Sequence, residues 1–155
     1  MNDINENDIR NFLDAISAFF LQATREKVKI ESAYLVEAGV SAITFDLTSY
    51  IRLSGSFSGR IYFSAPRAMV SRLLLEMGEP DRGEKHLLDV VGEIANTISG
   101  NVRKHFGETM EISVPVTLTT DSDWLKKAVS PRSYVILIRW KQYRASVVVD
   151  IRRIG

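Results

Sequence analysis

The feature that most constrains the fold is a pattern that occurs twice along the chain: a long amphipathic segment, then β-rich runs joined by short turns. Residues 7–28 carry apolar side chains at helical spacing, which predicts a first helix packed on a core. The apolar positions are Ile9, Phe12, Leu13, Ile16, Phe19 and Phe20. Runs rich in β-branched and aromatic residues follow at 29–38, 40–53 and 55–65. These three runs are predicted strands.

The second half of the pattern begins after an intervening short helix, predicted over 65–78 with Pro66 in its first turn and Gly78 at its C-terminal cap. Residues 87–107 form the second long amphipathic segment. Three more β-rich runs occupy 110–120, 133–140 and 144–154. Because short turns rather than helical crossovers join the strands, the predicted class is α+β, with long helices packed on an antiparallel sheet in two helix-then-strands halves. The last strand is expected to leave an open sheet edge.

Composition narrows the functional classes. The 155 residues are expected to form a single domain over 1–155. Net charge is +1 with acids and bases interspersed, so we expect no nucleic-acid partner. The sequence has no cysteine, which excludes disulfides, thiol nucleophiles and cysteine-ligated metals. No apolar run approaches the roughly 20 residues of a membrane span, and the expectation is a cytoplasmic protein with no membrane partner.

Common catalytic patterns are missing as well. The only histidines, His86 and His105, lie on one predicted helix, and neither has the neighbours of a two-histidine zinc site. We therefore predict no metal site and regard both histidines as surface or core-edge residues. Residues 55–59 resemble a nucleophile elbow except at the centre, where Phe57 stands in place of the required serine. No glycine-rich nucleotide-binding motif precedes a helix.

The second long predicted helix carries an unusual polar face. At spacings of three and four, it presents Asp89, Glu93, Asn96 and Gly100. Asp89 and Glu93 are like charges four residues apart, which mildly destabilises a helix, and Asn96 has poor helix propensity. Gly92 and Gly100 each cost about 1 kcal/mol relative to alanine. One interpretation is a solvated face; the other is a functional surface that another macromolecule's backbone approaches closely.

The pattern Asp89-xxx-Glu93-xx-Asn96, inside "DVVGEIANTISGN", resembles the signature of the CheC/CheX/FliY family of chemotaxis phosphatases, most closely its CheX branch. The resemblance extends upstream, since "NFLDAISAFF" is similar to that branch's first helix. The stretch "LSGSFSGRIYFSAPRAMVSRLLLEMGEP" is similar to its central hairpin, helix and glycine-capped exit. Nearly the whole chain is covered. The resemblance thus implies a CheC-like fold and one CheX-like phosphatase domain.

The resemblance implies hydrolysis of the aspartyl phosphate on a CheY-like response regulator. Asn96 would position the attacking water, and Glu93, its catalytic partner, would also pair with a lysine of the regulator. Asp89, Gly92 and Gly100 would bind the partner together with Glu93. Mg²⁺ is expected on the regulator, with no cofactor on this chain. The resemblance also implies a homodimer joined through sheet edges, for which the β-rich C-terminal segments could supply an edge.

Some assignments stay open at the level of sequence. Asp89 could orient Glu93, contact the partner or be solvated, and packing against the second helix would account for Gly92 equally well. The first helix has no Glu-xx-Asn pattern, so one site per chain is predicted. Its polar residues in that region are Asn11, Asp14 and Ser17.

Two other functions also remain open. One is a non-catalytic module that binds a phosphorylated response regulator or serves as a flagellar-switch-like component. The other is a structural subunit whose polar helix face is merely solvated. Glu93 together with an intact Asn96 favours catalysis over the binding module, and for the structural subunit Asn96→Ala would change nothing but stability.

Overall fold

The structure is a computed structural model and describes residues 4–36, 44–119 and 133–154. Its elements in chain order are α1 (Glu6–Thr24), β1 (Lys29–Leu35), β2 (Leu47–Gly55), β3 (Phe57–Ala65), α2 (Arg67–Glu76), α3 (Glu84–Phe106), β4 (Met110–Ile112), β5 (Val116–Thr119), β6 (Tyr134–Trp140) and β7 (Tyr143–Arg153). None of the helices that the structure describes combines the length and the apolar character that a membrane span requires.

The strands form one antiparallel sheet in the order β1-β6-β7-β3-β2-β4, with β5 also paired to β2. The helices pack on this sheet, and each long helix is followed by strands. The predicted α+β class with two helix-then-strands halves is confirmed.

The main core lies between the helices and one sheet face. Successive strand residues point to opposite faces, so Ile61 and Phe63 of β3 join the cluster beneath the helices while Tyr62 joins a smaller cluster on the opposite face. From α3, the main cluster receives Leu87, Val90, Val91, Ile94, Ala95, Ile98 and Val102. The apolar side of α3 is therefore held on the sheet, which leaves its opposite side outward.

The boundaries of two predicted helices are corrected. The first helix ends at Thr24, four residues earlier than predicted, because Arg25 adopts a left-handed conformation at φ 62°. The helix begins after Asn5, whose side chain accepts a hydrogen bond from the Asp8 backbone N–H in a capping box. Pro66 is the N-cap of α2 rather than a residue of its first turn. Gly78 follows α2 at φ 78°, where a helix-ending glycine is expected.

Two predictions about the strands are wrong. Residues 110–120 were expected as one strand, but pairing with β2 is interrupted between β4 and β5. Pro115 lies in the interruption and has no N–H to donate to a ladder. The C-terminal strand was expected at an open edge, but β7 lies between β6 and β3. Its central residues 145–149 are all buried. Ala145, Val147 and Val149 lie in the cluster beneath the helices, and Val148 lies in the smaller cluster on the opposite face.

The edges of the described sheet are instead β1 on one side and β4 with β5 on the other. The C-terminal strands β6 and β7 are both interior and cannot supply the edge that sequence reasoning assigned to them. Homodimer formation through a sheet edge stays a prediction, and these two edges are the described ones open to it.

Candidate active site

The helix that carries the candidate residues is α3, 23 residues from Glu84 to Phe106. Glu84 in its first turn and basic residues in its last turn complement the helix dipole. The Arg67 guanidinium donates to the Glu84 carboxylate, with Nε 3.1 Å from Oε2. This hydrogen bond lowers the pKa of Glu84. It also ties the start of α3 to the start of α2.

The predicted catalytic residues Glu93 and Asn96 and the predicted partner-binding residue Asp89 lie together on the outward side of α3. Asp89, Glu93 and Asn96 are all exposed. At 1.5 Å per residue, Glu93 and Asn96 are about 4.5 Å apart along the helix axis, and Asp89 is about 6 Å before Glu93. Within the described ranges, none of these three side chains has a hydrogen bond or an ion pair. Their polar atoms are therefore available to a partner.

Gly92 differs from these residues because it is buried on the sheet side of α3. A Cβ at Gly92 would lie 2.8 Å from Thr117 Cγ2 and 3.4 Å from Pro115 Cβ and Cγ. Packing within the chain thus accounts for this glycine, although against β5 and its preceding proline rather than against a second helix. Its direct contact with a partner stays a prediction.

A hydrogen bond strengthens the same contact between α3 and the sheet. Ser49 Oγ donates to the Val91 carbonyl oxygen at 2.8 Å in a buried setting. Ser49 and Thr117 are cross-strand neighbours on β2 and β5. Two contacts therefore hold the turn of α3 just before Glu93 on the sheet: the hydrogen bond from Ser49 and the packing of Gly92 against Thr117. Sequence reasoning missed Ser49 and Thr117, because their strand pairing becomes visible only in the folded chain.

We expect Gly92→Ala to lower the free energy of unfolding by about 1 kcal/mol, since overpacking against Thr117 outweighs the gain in helix propensity. Chemical denaturation of the variant measures this. Thr117→Ser removes the Cγ2 methyl, so in that background Gly92→Ala should be neutral or stabilising. A Gly92→Ala protein more stable than the wild type would contradict the packing account.

Gly100 lies further along the same outward side and is partly exposed. Among the described residues, no atom lies within 4 Å of the position that a Cβ would take there. Internal packing therefore gives no reason for glycine at this helical position, where alanine would be more stable. A requirement from outside the chain would explain it.

A groove of about 170 Å³ runs beside the acidic residues, between the end of α2 and the first half of α3. It is lined by Leu74, Met77, Glu79, His86, Asp89, Val90 and Glu93. Three carboxylates around an apolar floor suit a basic side chain with an aliphatic stem. Asp89 and Glu93 therefore line the same groove.

The two histidines differ in their position: His86 lines the groove beside Asp89, and His105 lies at the other end of α3. His105 Nε2 lies 2.7 Å from Oδ1 of Asp8, a carboxylate only 2% exposed, and so links the end of α3 to the start of α1. His86 Nδ1 lies 3.3 Å from Asp81 at the surface. Among the described residues, no three His, Asp or Glu side chains are grouped to hold a metal.

The first helix offers little resembling a second site. Asn11 Nδ2 donates to the Asn7 carbonyl oxygen of its own helix at 3.0 Å. Asp14 is exposed on α1, and Ser17 is partly buried. One site per chain stays a prediction.

A comparison with models of protein families shows which family the chain is related to. The model described as chemotaxis phosphatase CheX matches residues 47–139, a span that contains β2, α2 and the whole of α3. The chain belongs to the CheX family. No curated protein sequence matches it closely enough to count as a relative.

Solved structures share the CheX fold. Chemotaxis protein CheX from Vibrio vulnificus has a TM-score of 0.81 at 14% identity, covering 94% of this chain and 99% of that one. CheX in the CheX–CheY–BeF₃–Mg²⁺ complex from Borrelia burgdorferi has a TM-score of 0.76 at 18% identity, covering 94% and 97%. CheX from Desulfovibrio desulfuricans has a TM-score of 0.75 at 17% identity, covering 94% and 99%. At such identities these matches establish the CheC-like fold alone.

Proposed function

We propose that this CheX-family chain hydrolyses the aspartyl phosphate of a CheY-like response regulator, by laying α3 against the regulator so that Asn96 positions the attacking water. The observation that carries the proposal is the outward placement of Glu93 and Asn96, one turn apart and without partners among the described residues. The family match and the CheX–CheY complex from Borrelia burgdorferi support the choice of partner.

The chemistry of Asn96 suits this role. Hydrolysis needs a water in line with the bond from phosphorus to the aspartyl oxygen, and in phosphoryl transfer the protein contributes mainly positioning and charge stabilisation. The Asn96 carboxamide offers an acceptor oxygen and two N–H donors. It can hold the water through its oxygen and donate to a phosphoryl oxygen at the same time. A carboxylate in its place would repel the phosphoryl group.

Glu93 is proposed to pair with a lysine beside the regulator's phosphoryl group. It lies about 4.5 Å from Asn96 along the helix axis, so a lysine bound to it is held next to the reacting phosphorus. Charge pairs that lose solvent at an interface can contribute several kcal/mol. Asp89 lies one turn further back on the groove beside α2, where it adds negative charge for the same basic surface.

The metal in the proposed reaction belongs to the regulator. The complex from Borrelia burgdorferi contains Mg²⁺ together with BeF₃, and a CheY-like regulator is proposed to bring its own Mg²⁺ to this chain. That ion would neutralise charge on the phosphoryl oxygens. The residues of α3 then have two tasks. The Asn96 carboxamide positions the water, and Glu93 pairs with the regulator's lysine.

Gly100→Ala is expected to separate stability from function. The variant should be more stable by about 1 kcal/mol, because alanine has the higher helix propensity and the space is open. The added methyl should hold the partner's backbone away from α3 and raise KM for the phosphorylated regulator about 5-fold, equivalent to about 1 kcal/mol. Denaturation and steady-state kinetics on one preparation measure both. A stabilised variant with unchanged KM would contradict close approach at Gly100.

The direct test follows the loss of phosphate from phosphorylated, Mg²⁺-bound CheY-like regulators of the source organism, with and without the wild-type protein. Acceleration at substoichiometric protein supports the proposal. Binding without acceleration would favour a module that recognises the phosphorylated regulator. If neither binding nor acceleration occurs with any of these regulators, the proposal fails and the solvated-face interpretation gains weight.

A further inference from the structure

The outward side of α3 continues past Asn96 and Gly100 to a second groove near the helix C-terminus. This groove has a volume of about 390 Å³ and is lined by Gly100, Arg103, Lys104, Gly107 and Glu108. At about 100° per residue, Lys104 lies on the same side as Asn96 and Gly100. The proposed catalytic surface and the groove therefore form one continuous strip of the molecule.

The basic residues around this groove are not equivalent. The Arg103 guanidinium donates through Nε to the Met110 carbonyl oxygen and through Nη2 to the Glu108 carbonyl oxygen, so it closes the turn after α3. His105 is engaged with Asp8. Lys104 is exposed, and its ammonium has no hydrogen bond or ion pair to any residue that the structure describes.

Charge changes sign between Asp89 and Lys104 on the outward side of α3; exposed Lys85 precedes this segment by one turn, and Glu108 lies in the lining of the groove. Asp89 and Glu93 precede Asn96, while Lys104 follows it by eight residues, about 12 Å along the axis. All three basic residues of the last turn complement the helix dipole. Arg103 and His105 have a second role inside the chain, and Lys104 has none among the described residues.

We propose that Lys104 and its groove bind an acidic side chain on the same response regulator, about 12 Å from the phosphoryl group and on the side away from the lysine that pairs with Glu93. The proposal rests on the proposed function of α3. Two contacts of opposite sign on either side of Asn96 define one orientation of the regulator along the helix, since the reversed orientation brings like charges together. Lys104 thereby acts as a specificity-determining residue.

The test compares Lys104→Glu with Lys27→Glu, which makes the same charge change at an exposed residue between α1 and β1. Affinity is measured with a CheY-like regulator loaded with BeF₃⁻ and Mg²⁺, using the Asn96→Ala background and the wild-type background. We expect Lys104→Glu to weaken binding about 10-fold and Lys104→Ala about 3-fold, with little change for Lys27→Glu. In turnover assays the loss should appear in KM and not in kcat.

Salt provides the readout that a purely structural effect would not change. The difference between Lys104→Glu and Lys27→Glu should shrink to less than about 2-fold when ionic strength rises from about 0.05 M to 0.5 M, because screening shortens the range of exposed charges. Equal affinities for the two variants at low salt, with active wild type, would overturn the Lys104 contact and leave the phosphatase intact. If the wild type binds the regulator without hydrolysing its phosphate, and Lys104→Glu weakens that binding, the Lys104 contact is supported and the phosphatase proposal is overturned. No binding by wild type would overturn both.

Discussion

Asn96→Ala is expected to slow dephosphorylation of the regulator by about 100-fold or more, while changing affinity for the regulator less than about 3-fold. The size follows from the removal of one positioned polar group from a reaction that depends on positioning. Asn96 is exposed and has no partner among the described residues, so the alanine variant should fold normally. Turnover is measured as phosphate released, and affinity by titration with the BeF₃⁻-loaded regulator.

Asn96→Asp is the matched control for shape. It preserves the size of the side chain but replaces two N–H donors with negative charge, and it should be as inactive as the alanine variant. If Asn96→Ala turned over phosphate at the wild-type rate, the proposed role of this residue would be wrong. Activity in the aspartate variant alone would point to a general base instead of a water-positioning amide.

Glu93→Lys is expected to weaken regulator binding about 100-fold, equivalent to about 2.7 kcal/mol. The change removes a proposed charge pair and sets two cations against each other at a site that loses water on binding. Affinity for the BeF₃⁻- and Mg²⁺-loaded regulator is the measurement. Glu93→Gln, which removes the charge without adding the repulsion, should give an intermediate loss.

The control for charge is Asp14→Lys, an equal change in net charge at an exposed position of α1. It should bind as the wild type does, because α1 carries no Glu/Asn pair. Wild-type affinity in Glu93→Lys, as expected for Asp14→Lys, would remove Glu93 from the interface. A loss in Asp14→Lys similar to that in Glu93→Lys would mean that the regulator also uses α1.

Helix α3 shows how much of the site local sequence can predict. Its polar residues recur at spacings of three and four residues, so Glu93 and Asn96 lie about one helical turn apart on the same side. Ile94 and Ile98 lie on the opposite, buried side. The structure confirms that placement, because an amphipathic helix has only one way to bury its apolar side on a sheet.

The sheet shows where local sequence stops being informative. Strand-forming residues predicted β7 as a strand, but its neighbours depend on which distant segments pair with it, and it lies in the interior. Pro115 is visible in the sequence, but the sequence does not show that it interrupts the strand predicted over 110–120. Its effect depends on the partner strand that would have received the missing N–H.

Periodicity within single segments was enough to predict the helical and extended runs of the α+β class, a long helix over 87–107 and the shared face of Asp89, Glu93 and Asn96. The start of that helix, at Glu84, was not predicted. Only the tertiary structure decided that Gly92 lies against Thr117 while Gly100 faces open space. Both glycines look alike in the sequence. They differ because β5, brought beneath α3 by its pairing with β2, approaches one side of the helix and not the other.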